Sequence, residues 1–132
     1  MKILLILTIL ATLNACQLIS PLFVDYNGVR RDVAKWINQQ SLLNMQQKRS
    51  LAQLSKAQQK ISLIEHITHD EKIIISKENA IAMYCAQLNL SNQKIEQLQT
   101  QIFGKVEKKF ILESFEQNFP KLKLDASSIQ CD

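Results

Sequence analysis

Residues 29–103 contain neither glycine nor proline. Tight turns ask for a positive φ or a pre-set φ, which those two residues supply, so strand-rich folds need them often. A stretch of this length without either points to helices joined by short polar connections. Its filling agrees, because Gln, Lys, Leu and Ala are good helix formers. Pro21, Gly28, Gly104 and Pro120 all lie outside it. The expected fold is all-α: a small bundle, or open helical hairpins, of about four amphipathic helices over residues 29–120, with a C-terminal tail over 121–132.

Local signals divide the stretch. Val29, Val33, Trp36 and Ile37 share one face of a helix expected over 29–40. Asn44 and Gln47 form a capping box for a second helix, whose stripe is Leu51, Leu54, Ala57, Ile61 and Ile64 and whose end falls near residue 67. Thr68 and Glu71 make another box, opening a third helix over 69–88 with Ile74, Ile81, Tyr84, Cys85 and Leu88 expected inward. The run Ile73-Ile74-Ile75 also suits a strand, but no partner strand is evident. Ser91 caps a fourth helix, with Leu90 and Ile95 at the staple positions. Its stripe of Ile95, Leu98 and Ile102 continues through Val106 and Phe110, which predicts one long helix reaching residue 119 with a weak point at Gly104. The residue before a proline disfavours helix, so Pro120 ends it.

The first fifteen residues stand apart. Lys2 is followed by an almost unbroken apolar run over 3–13, the layout of a secretory signal and too short for a permanent membrane span. The ending Leu13-Asn14-Ala15-Cys16 resembles the lipobox of bacterial lipoproteins, with Asn14 where a small residue is more usual. The resemblance implies cleavage after Ala15 and acyl chains on Cys16, a strong membrane anchor. Gln17, in place of the Asp associated with inner-membrane retention, then implies the outer membrane. Residues 16–28 read as lipidated Cys and tether.

Charge and chemistry add little. The formal charge is +4 and falls to +3 once Lys2 leaves with the signal, too small to argue for a partner; nucleic acid is not expected as one. With Cys16 lipidated, Cys85 and Cys131 remain, and an oxidising compartment allows one bond between them. The alternative is a buried apolar Cys85 and a free tail thiol at Cys131. His66, His69 and Asp70 are the only cluster with metal-ligand chemistry, but a helix break at Thr68 spoils the shared face. No cofactor is expected. No nucleophile elbow, phosphate loop or His-Glu-x-x-His motif occurs, so the expected protein is not an enzyme. Should an apolar face stay open, Trp36, Leu43, Leu51 and Leu54 are the candidate partner-binding surface.

Tyr26-Asn27-Gly28-Val29, Trp36 and Leu43-Asn44-Met45-Gln46-Gln47 are similar to an uncharacterised family of proteobacterial helical lipoproteins. The Leu-x-x-x-Gln step also resembles the Leu-Thr-x-x-Gln of the Spy/CpxP family of periplasmic helical chaperones, with Asn44 in place of Thr and its capping role kept. The first resemblance implies no function, and the second implies only that an open helical face could bind unfolded chains. The expected protein is an outer-membrane-anchored, periplasm-facing lipoprotein that binds an envelope protein or an unfolded client, chaperone-like or envelope-stress related. The alternatives are an accessory lipoprotein of an envelope machine, in entry exclusion or secretion, and a metal or ligand carrier.

Overall fold

The computed structural model describes residues 28–132; the signal segment 1–15, Cys16 and the tether before Gly28 lie outside them. Among the described residues every regular element is helical: α1 Arg31–Asn38, α2 Met45–Gln59, a 3₁₀ segment Lys60–His66, α3 His69–Asn89, α4 Asn92–Phe103, α5 Lys108–Asn118 and a 3₁₀ turn Ala126–Ser128. The all-α small bundle is thus the observed fold.

Three helix starts are written in local chemistry. Asn44 accepts from the Gln47 N–H while the Gln47 side chain accepts from the Asn44 N–H; Thr68 and Glu71 do the same. Ser91 accepts from the Lys94 N–H. Each satisfies donors that a helix N-terminus would otherwise leave unpaired. α2 loses its α-helical hydrogen bonding at Gln59 and tightens into the 3₁₀ segment before the extended Ile67.

The core joins Val33 and Ile37 of α1, Leu51, Leu54 and Ala57 of α2, Ile61, and Leu98 and Ile102 of α4. α2 and α3 make the most extensive helix pair. The stripe expected on α2 is buried through Ile61; the side chain of Ile64 lies outside the described set.

The face of α3 differs from the expectation. Ile75, Ser76, Ala82, Cys85 and Ala86 are buried, whereas Ile74 and Leu88 are exposed and Ile81 and Tyr84 only half-buried. Cys85 is buried as expected, and beside Ile75 the rest of the inward face is made of the small Ser76, Ala82 and Ala86, which let two helix axes approach closely.

The expected long last helix is also corrected. Gly104 has φ +83° and ψ 154°, and it divides α4 from α5. An uninterrupted helix would carry its later apolar residues past the end of the core. The break instead folds α5 back, so that Ile111, Leu112 and Phe115 pack on the core and Phe119 is buried. Val106 and Phe110, expected on the inward stripe, are left pointing out, at 91% and 74% exposure.

Gly104→Ala is expected to cost about 1–3 kcal/mol, since that backbone region is nearly closed to L residues. A Cβ there would meet nothing within 4 Å, so the loss is conformational and not steric. It should appear as a lower urea midpoint with an unchanged slope.

Candidate functional site

The hydrogen bonds of the bundle sort its surface into two ends. At one, the described chain begins. Arg30 N–H donates to Gln59 Oε1 (2.8 Å), Gln59 Nε2 donates to the Gly28 carbonyl (3.0 Å), and Ser55 Oγ donates to Gln59 Oε1 (3.1 Å). The Arg30 guanidinium then reaches the end of α4, donating to the carbonyls of Ile102 (3.0 Å) and Gln101 (2.9 Å). A cation here satisfies orphan carbonyls and suits the negative end of the helix dipole.

Asp32 holds that cation in place through Nε (2.6 Å) and Nη2 (2.9 Å). The hydrogen bond from Arg30 keeps the Asp32 carboxyl below its ordinary pKa, and the one to Asp32 raises that of Arg30. A depressed carboxyl contributes stability above the unfolded-state pKa and loses it as pH falls through the folded value. Both groups are largely exposed, so the contribution is small. A hollow of about 430 Å³ opens beside this clasp, lined by Gly28, Val29, Arg30, Gln59, Ser62 and Ile102.

The opposite end gathers the close of α1, the start of α2, the close of α3 and the start of α4. Lys94 Nζ donates to Gln40 Oε1 (2.9 Å) and lies 5.8 Å from the centroid of the Trp36 ring. Gln40 Nε2 donates to the Trp36 carbonyl (3.1 Å). Buried Lys48 gives Nζ to the Asn38 carbonyl (3.3 Å) at the end of α1, where a cation is favoured. Gln47 Nε2 donates to the Asn89 carbonyl, and Asn89 Nδ2 to Ser50 Oγ. Leu42 is 97% exposed on the α1–α2 connection and Leu88 63% exposed near the end of α3. The length of α2 separates the two ends by roughly 20 Å.

Neither protein-family models, nor curated proteins, nor solved structures gave a match to this chain.

Of the expected partner-binding residues, Trp36 and Leu43 are half-buried at the Leu42 end. Leu51 and Leu54 are fully buried. They stand one turn apart on the side of α2 that α1, α3 and α4 cover, so they belong to the core and not to an exposed face. Leu42 and Leu88 take their place as exposed apolar residues. Hydropathy periodicity missed Leu42 because it lies in a connection, and misread Leu88 because it is large.

His66, His69 and Asp70 are all exposed. The extended backbone at Ile67 and Thr68 separates the two histidines onto different elements. Among the described residues there is no group of three or more potential ligands that could hold a metal. None of the described helices is long and apolar enough to cross a membrane.

Cys85 and Cys131 are joined, with their Cα atoms 5.6 Å apart. Lys72, near the start of α3, lies 5.8 Å from the Phe119 ring centroid, so the tail sets out from that end and returns along α3 to Cys85. Asp132 N–H donates to Gln53 Oε1 (3.3 Å), and Gln130 borders a hollow of about 360 Å³ with Lys56, Lys60, Glu78 and Ile81.

Proposed function

We propose that this chain is a non-enzymatic lipoprotein, anchored in the bacterial outer membrane through acylated Cys16 and facing the periplasm, that binds another envelope protein. The observation supporting the binding reading is the end of the bundle remote from Gly28. There Leu42 stands almost fully in solvent, Leu88 is exposed next to Asn89, which bonds to Gln47 and Ser50 at the start of α2, and Trp36 and Leu43 are half-buried. Large exposed apolar side chains with no role in the core mark contact surfaces when they gather at one place. The anchor would enter from the other end, leaving this one free to meet a partner.

A closed core favours a fixed partner over broad capture of unfolded chains. Among the described residues the apolar stripes of α1, α2 and α4 are spent inside the bundle and are not open to an extended client. The accessory-lipoprotein reading therefore ranks above the chaperone-like one.

Two measurements test the anchor and the partner separately. Cys16→Ser is expected to abolish incorporation of labelled palmitate and to move the protein out of the membrane fraction; a variant that still takes up label would end the lipoprotein reading. A photo-crosslinking residue at position 42 is expected to trap one discrete envelope protein in intact cells. A smear of many products would favour chaperone-like binding, and no product at either position 42 or position 88 would remove the proposed surface.

A further inference from the structure

We propose that residues 105–110, with the outer side of α5, form a docking surface for anionic phospholipid headgroups, Val106 and Phe110 entering the headgroup–acyl boundary. The inference rests on the anchored reading for its geometry, but its chemistry is visible in the bundle alone. Among the described residues, Val106 and Phe110 are the two most exposed large apolar side chains after Leu42, and they stand four positions apart on continuous turn and helix backbone. Lys105, Lys108 and Lys109 surround them against a single acid, Glu107.

That basic cluster conflicts with its own helix. Cations are disfavoured near a helix N-terminus, and Glu107 at the N-cap is the one acid at the start of α5 to set against Lys105, Lys108 and Lys109. Lys108 Nζ reaches the neutral Thr100 hydroxyl, and Lys109 comes within 3.8 Å of Glu113 on an exposed surface. The other outer acid of α5, Glu116, faces Lys121 at 3.5 Å. A local choice that opposes the fold yet persists points outside the fold for its use. Lysines around an apolar pair match an anionic lipid surface, where their stems can lie along the apolar region while the ammonium groups meet phosphate.

Arg30 binds the carbonyls of Gln101 and Ile102, just before Gly104, so the entry of the chain at Gly28 and the turn into α5 lie at one end of the bundle. α5 then runs from that turn toward the start of α3, packed through its inner side on the 3₁₀ segment Lys60–His66 and on α4. Its outer side is therefore turned away from the bundle at the end where the anchor would enter. The stretch from Cys16 to Gly28 joins the bundle at this end and reaches at most about 40 Å, long enough to let the outer side of α5 meet the membrane that carries the anchor.

The test uses the full acylated chain carrying Trp36→Phe and Phe110→Trp, so that the only indole reports from position 110. It is mixed with vesicles of phosphatidylglycerol and phosphatidylethanolamine, with and without bromine on the acyl chains near the headgroup. Expected is a blue shift and at least twofold quenching by the brominated lipid, weaker on phosphatidylcholine vesicles and weakened by high salt. Lys105→Gln with Lys109→Gln should remove the preference for anionic vesicles while leaving the circular dichroism unchanged. Equal emission with plain and brominated lipid would overturn the docking surface, as would equal quenching from an indole placed at position 42. A lipid-free dimer that Phe110→Asp dissociates would assign the face to a second copy and overturn it too. Anchoring is read independently by flotation of the parent against Cys16→Ser: floating without quenching ends the docking proposal alone, and failure of acylation ends the anchor alone.

Discussion

Opening the Cys85–Cys131 bond is expected to lower the unfolding free energy by about 4 kcal/mol, the loop-entropy value for a separation of this length. The two cysteines are 46 residues apart, and the closed loop holds α4, α5 and the tail. Domains of this size have only about 5–15 kcal/mol in total, so the change is large. The bundle also carries local costs that such a restraint offsets. Gln58 Oε1 and Ser76 Oγ, on α2 and α3, are buried without a hydrogen-bond partner in the protein, which disfavours the folded state. Urea unfolding with and without reductant, repeated on Cys131→Ser, measures the effect. Hydrogen exchange should show α5 and the tail losing protection before α1 and α2, because α5 contributes no fully buried side chain and is held by Ile111, Leu112, Phe115 and the adjoining Phe119. An unchanged urea midpoint on reduction would mean that the bond restrains nothing.

Where the sequence was legible, the information was local. The caps at Asn44, Thr68 and Ser91 each need only residues within three positions, and all three open helices where expected. The absence of glycine and proline over 29–103 carried the fold class for the same reason. What failed depended on distant partners. The inward side of α3 is chosen by how closely α2 can approach, which buries Cys85 as expected but favours Ala82 and Ala86 over the larger Ile74 and Leu88. The break at Gly104 is chosen by where the core ends, and unbroken periodicity through Val106 and Phe110 concealed it. Both errors hid the exposed residues on which the functional readings now rest. Periodicity places Leu88 and Phe110 in a core that leaves them exposed, and places Leu54 on a surface although it is fully buried.

Leu54→Ala is expected to destabilise the protein by about 2–5 kcal/mol, the range for truncating a buried leucine in a core that collapses only partly around the gap. Leu54 is fully buried, on a helix covered by α1, α3 and α4. Leu42→Ala is expected to change stability by less than about 0.5 kcal/mol, because that side chain is 97% exposed and has no packing to lose. Urea unfolding of the two variants in the oxidised protein, with equal slopes, gives the comparison. The partner readout should reverse the order. Well below its melting temperature, Leu54→Ala should still yield the product crosslinked from position 88, since the fold that presents that end is intact, whereas Leu42→Ala should weaken it. A Leu54→Ala variant of parental stability that no longer captured the partner would return Leu54 to the binding surface and place the exposed end at Leu42 outside it.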